Sequence, residues 1–144
     1  MTSPPEVRRF PIELGRRSRA LLRVLFRVRP ETAYVDVGEE LEARFGIGHL
    51  RTPMTNVVSW RIEGPWLWIT AIGIRRGLRD GEITFGGTHR GGVRLDFDER
   101  VRTMRFFRAP VLYVTVADPE AFTAELADRG IPGEDARRTS ARRR

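Results

Sequence analysis

From Thr32 to Val116 most of the chain alternates apolar and polar residues at period two, and at Asp118-Pro119-Glu120 the pattern turns helical. Strands in succession followed by a helix restrict the chain to a mainly β fold. Tyr34, Val35 and Val37 lead to Gly38, and Leu41, Ala43 and Phe45 then alternate with Glu40, Glu42 and Arg44, which predicts a hairpin with one wet face. A third strand starts near His49, passes Pro53, and resumes with Val58, Trp60 and Ile62 on one face and Val57, Ser59 and Arg61 on the other. The run Trp66 to Ile74 is apolar on both sides and reads equally as a strand or a buried helical turn. Glu82 to Phe85, the loop 86–92, and Val93, Leu95 and Phe97 predict a second hairpin, and Val111 to Val116 a β-branched strand. Asp118 is then an N-cap, Pro119 suits the first helical position, Phe122 and Leu126 share a face, and Gly130 and Pro132 stop the helix.

The ends differ from this body. Residues 1–15, with Pro4, Pro5, Pro11 and Gly15, read as an extended arm. In residues 16–29, Arg19, Arg23 and Arg27 recur every four positions among Leu21, Leu22, Leu25, Phe26 and Val28, which predicts a short amphipathic helix ended near Pro30. The expected division is therefore an arm and helix over 1–29, a β domain with its C-terminal helix over 30–131, and a disordered basic tail over 132–144.

All 26 basic residues are arginine, and cysteine is absent. Schiff-base lysines, a P-loop, thiol nucleophiles, zinc knuckles and disulfide scaffolds are thereby excluded. GC-rich coding explains arginine in place of lysine without any function, yet each guanidinium still offers a planar fork to carboxylate or phosphate. The net charge of +7 sits at the ends: residues 1–29 hold 8 Arg against 2 Glu, and residues 134–144 hold 5 Arg against 2 acids. The body is slightly acidic, but its stretch 44–108 carries 12 Arg against 6 acids. The only apolar candidate for a leader, Leu21 to Val28, is interrupted by Arg23 and Arg27, so a cytoplasmic protein is expected, at most peripheral at the inner membrane face.

No catalytic constellation emerges. His49 and His89 lack metal-ligating companions, the four serines lie outside any GxSxG turn, and Asp80, Glu82, Asp96 and Asp98 alternate as a solvated strand face does. The expectation is a non-enzymatic protein without metal or cofactor. Loop 86–92 joins two strands, unlike a phosphate loop, although its amides beside Arg90 form a candidate anion nest. The sharper cluster is Arg100, Arg102, Arg105 and Arg108 with Phe106 and Phe107, a candidate anion- or partner-binding site. Beside that stands a packing reading, in which a phenylalanine fills the core and the arginines pair with Asp96, Asp98 and Glu99. The N-terminal helix, through Arg19, Leu22, Arg23, Phe26 and Arg27, is a candidate partner or membrane surface, or packs on its own domain. Trp60, Trp66 and Trp68 are core or the wall of a ligand pocket.

Arg51 to Val57 (RTPMTNV), Gly77 to Phe85 (GLRDGEITF), Gly92 to Phe97 (GVRLDF) and above all Leu112 to Glu120 (LYVTVADPE) resemble an uncharacterised actinobacterial family, over roughly residues 30–130. The strand-then-helix order resembles the pleckstrin-homology-like fold. That resemblance implies an open barrel of about seven antiparallel strands closed by a C-terminal helix, and it carries no site residue. The function expected is a binding or scaffolding module for a protein partner, self-association or anionic lipid. The alternatives are nucleic-acid binding through the arginine-rich arms, and a small-ligand carrier or enzyme with a tryptophan-lined pocket.

Overall fold

The computed structural model describes residues 7–15, 19–63, 73–76, 83–86, 92–103 and 107–136. Within them the chain is mainly β. Alternation becomes burial directly in β2 (Ala33–Val37) and β3 (Glu40–Phe45), an antiparallel hairpin in which Val35 lies opposite Ala43 and Val37 opposite Leu41, all fully buried. Gly46, at φ 61, turns the chain into β4 (Gly48–Pro53), where the left-handed backbone favours glycine. In β4 Leu50 and Thr52 point inward while His49 and Arg51 face out.

β8 (Gly92–Thr103) organises the rest. Its first half pairs with β5 (Val57–Glu63) and with β9 (Phe107–Val114); its last residues pair with β9 and, at Thr103, with Leu50 of β4. With β1 (Arg8–Pro11), β6 (Gly73–Arg76) and β7 (Ile83–Gly86), the open sheet runs β1-β2-β3-β4-β8-β9-β7-β6, and β5 branches from β8 carrying β10 (Gly133–Asp135). A bridge between Ile12 and Val116, with Glu13 N–H donating to the Thr115 carbonyl at 2.8 Å, ties the exit of β1 to the exit of β9.

Among the described residues two α-helices accompany the sheet, α1 (Arg19–Phe26) and α2 (Pro119–Asp128). Asp118 accepts the Ala121 N–H at 3.0 Å as N-cap, and Phe122 and Leu126 are fully buried. At the other end Gly130, at φ 84, donates its N–H to the Ala127 carbonyl, and Ile131 donates to that of Leu126. Those two bonds form a Schellman motif, in which glycine supplies the left-handed residue. Phe122 meets Phe10 edge-on at 5.2 Å and Phe45 stacks on Phe85 at 6.0 Å, so the core reaches from β1 to α2.

Several expectations change. The described residues form ten strands rather than about seven, and two pairings, β7 with β9 and β10 with β5, are parallel. Residues 83–86 do not form a hairpin with 92–97: β9 lies between them, paired to β8 on one edge and to β7 on the other. Its continuous burial from Val111 to Val116 suits a strand covered on both faces. In β5 a register shift between Val57 and Ser59 exchanges the faces, so Val57 is buried and Val58 is half exposed. The segment around Phe10 and Ile12 is a core strand rather than an arm, and Gly133–Asp135, assigned to the tail, is a strand on β5. The run 64–72 and the loop 87–91 lie outside the described residues, as does the tail from 137.

Candidate functional site

Strand register assembles a row of charged residues on the outer face of the sheet. Arg9 of β1 lies opposite Asp36 of β2, Asp36 opposite Glu42 of β3, and Glu42 opposite Arg51 of β4. Because Leu50 pairs with Thr103, antiparallel counting sets Arg51 beside Arg102 of β8, and Arg102 is paired in turn with Arg108 of β9. Six strands thus contribute one residue each, with acids on β2 and β3 and arginines on the other four.

The acidic half is answered within the protein. Arg9 forks onto Asp36 through bonds of 2.8 and 2.9 Å, and its guanidinium lies 3.8 Å from the centre of the Tyr34 ring. The hydrogen bonds that Arg9 donates to the Asp36 carboxylate raise the Arg9 pKa above its ordinary value. Arg51 forks onto Glu40 at 2.8 and 2.9 Å, holding that carboxylate below the usual glutamate range and raising its own pKa. Glu42 stands 4.0 Å from Arg51 and 3.7 Å from His49.

The basic half is different. Arg102 and Arg108 face each other, both exposed, and among the described residues no carboxylate lies within ion-pair distance of Arg100, Arg102 or Arg108. Among the described residues the expected pairing of Arg100, Arg102 and Arg108 with Asp96, Asp98 and Glu99 is not formed, and for Asp96 the reason is local. Asp96 is taken by Arg94 at 3.3 Å and by the Ser59 hydroxyl at 3.2 Å. At the irregularity in β8 between Asp96 and Val101, Asn56 stands in for a strand neighbour. It accepts the Glu99 N–H at 2.7 Å and donates to the Glu99 carbonyl at 2.9 Å. This bracket holds Arg100 beside an open cleft of about 390 Å³, also lined by Arg51, Arg102 and the acids Asp98 and Glu99. Asn56 and Arg51 escaped the candidate set, since neither has a local signal of charge clustering.

Of the other candidates, Arg90 and Arg105 lie outside the described residues, as do Phe106, Trp66, Trp68 and His89. Arg19, Arg23 and Arg27 are exposed, whereas Leu22 is fully buried and belongs to the core rather than to a partner surface. For Phe26 only the backbone is described. Trp60 is partly buried against the core and donates its indole N–H to the Ile131 carbonyl at 3.0 Å, tying β5 to the segment before β10. Among the described residues no group of three or more His, Asp or Glu is placed to hold a metal ion, and no helix is long and apolar enough to cross a membrane. In comparisons with known proteins, the chain matches no family model, no curated protein and no solved structure.

Proposed function

We propose that this chain is a non-enzymatic binding module of pleckstrin-homology-like architecture that takes an acidic protein segment on the outer face of β4, β8 and β9. The observation that carries this reading is Arg102 directly opposite Arg108 with, among the described residues, no carboxylate within ion-pair distance of either. Like charges directly opposite in a sheet destabilise it by a few tenths to about 1 kcal/mol, and a bound carboxylate or phosphate relieves that repulsion. A mainly β sheet followed by a helix supports the architectural part.

The acids on the same face define the ligand. Asp36, Glu40 and Glu42 border the arginines on the β3 side and Arg51 of β4 is already forked onto Glu40, so the unanswered guanidinium groups span β8 and β9, or roughly 5–10 Å at ordinary strand spacing. A short acidic segment fits that width, whereas a long polyanion would run on over β3 and meet repulsion. The test is fluorescence anisotropy with a labelled hexaglutamate peptide, alongside a single-stranded oligonucleotide, from low to physiological salt. The peptide binds at low salt, and Arg102→Gln with Arg108→Gln weakens it about tenfold, the loss of two exposed ion pairs at roughly 0.7 kcal/mol each. No peptide binding even at low salt refutes the proposal. Tighter oligonucleotide binding with a steep salt slope, lost in the same double variant, moves the assignment to nucleic acid.

A further inference from the structure

Among its described side chains α1 is fastened through Leu22. Leu22 is fully buried, Val28 just beyond the helix is 1% exposed, and the Val28 N–H donates back to the Leu22 carbonyl at 3.2 Å. Away from that anchor Val24 is 78% exposed and Leu21 45%. Arg19, Arg23, Arg27 and Arg29 are all exposed around them. Arg19, Arg23, Val24 and Arg29 line an open groove of about 1000 Å³, and among the described residues Glu31 is the one acid along its wall.

The turn that follows α1 adds an independent observation. Arg27 stands at φ 56 and is the one non-glycine residue with a positive φ among the described residues. A side chain is disfavoured in that conformation, which glycine adopts freely and which commonly ends helices. Burial of Val28 directly afterwards forces the bend, so an exposed guanidinium occupies a site where the fold alone prefers glycine. Strain of this kind at an exposed charged residue points to a task for the charge.

We infer that α1 and its exit turn form a seat for the surface of an anionic bilayer, with Leu21 and Val24 entering the acyl boundary and Arg19, Arg23, Arg27 and Arg29 meeting lipid phosphates. The helix has eight residues, about 12 Å at the usual rise, so it lies in the interface rather than spanning it. The charge is complementary throughout: four guanidinium groups surround the exposed apolar pair, and the single acid sits on the groove wall. This surface is separate from the β4–β8–β9 arginines, and either proposal stands without the other.

The test is co-sedimentation of the full chain with phosphatidylcholine vesicles containing about 30% phosphatidylserine, against phosphatidylcholine alone, with urea unfolding of every variant. The wild type partitions onto the anionic vesicles. Arg27→Gly lowers that partitioning about fivefold, the contribution of one arginine near an anionic surface, while its urea midpoint rises. Val24→Asn also lowers partitioning, with an unchanged midpoint, and Arg102→Gln with Arg108→Gln partitions as wild type does. Equal binding to both vesicle types overturns the inference, as does wild-type partitioning by both α1 variants, or an equal loss in the Arg102/Arg108 variant. A hexaglutamate peptide that binds wild type but not Arg27→Gly, with vesicles ignored, overturns it in favour of a protein segment.

Discussion

Replacing Gly133 with alanine tests the contact that holds β10 on β5. A Cβ at this position would lie 2.1, 2.3 and 2.4 Å from three atoms of the Trp60 ring. Carbon atoms in contact sit about 3.5–4.0 Å apart, so well over an ångström must be found. Trp60 cannot yield it freely, because its indole N–H is bonded to the Ile131 carbonyl at 3.0 Å and its backbone N–H to that of Pro132 at 3.1 Å. Either the ring leaves the core or β10 peels away, giving up its parallel register on β5 and the bond from Ala136 N–H to the Ile62 carbonyl. Overpacking of this degree costs about 1–3 kcal/mol, and exposing Ile131 adds up to about 2, so a loss near 3 kcal/mol is expected. At about 3 °C per kcal/mol for a chain of this size, the melting temperature falls roughly 10 °C, read by circular dichroism. Gly130→Ala separates sterics from backbone preference, since nothing lies within 4 Å of its added Cβ while its φ is 84. It should cost only about 1 kcal/mol. A Gly133→Ala protein within about 0.5 kcal/mol of wild type, or less affected than Gly130→Ala, would refute the reasoning.

Two further outcomes follow from the charge row. Arg108→Glu exchanges a repulsive cross-strand pair with Arg102 for an attractive one, so the urea midpoint rises by the equivalent of about 0.5–1 kcal/mol; a fall contradicts the register. Glu40 titrates below the usual glutamate range because Arg51 holds its charged form, so the pair contributes stability above that range and loses it as pH falls through the lowered folded value. Carboxyl-carbon NMR of Arg51→Gln should show the Glu40 midpoint moving up; an unchanged midpoint rejects the fork as its cause.

The candidate site was half legible before the fold. Arg100, Arg102 and Arg108 stand out along the chain, but Arg51 lies about a third of the chain away and enters the row only because Leu50 pairs with Thr103. The packing alternative was equally readable; among the described residues its pairing of Arg100, Arg102 and Arg108 with Asp96, Asp98 and Glu99 is not formed, and Arg94 and Ser59 meet Asp96 instead. For α1 the apolar and basic residues predicted an amphipathic helix without saying which apolar residues dock. The core claims Leu22 and leaves Val24 and Leu21 outside.

By itself, the order of amino acids determined burial in the regularly alternating strands. Leu41, Ala43 and Phe45 turn inward, as do Val93, Leu95 and Phe97, because strand side chains alternate whatever the neighbour is. Asp118 caps and Gly130 terminates α2 through bonds that span only a few residues. Partner choice was decided only in three dimensions. Nothing local distinguishes a hairpin of 83–86 with 92–97 from the observed insertion of β9 between them, since both satisfy the same alternation. The same holds for Phe10 and Ile12, which become core once β1 meets β2 and α2, and for Gly133, whose missing side chain matters because Trp60 lies against it. Hydrophobic period records which side of a strand is dry, whereas register and neighbour depend on contacts between residues far apart in the chain, and those contacts put Arg102 opposite Arg108.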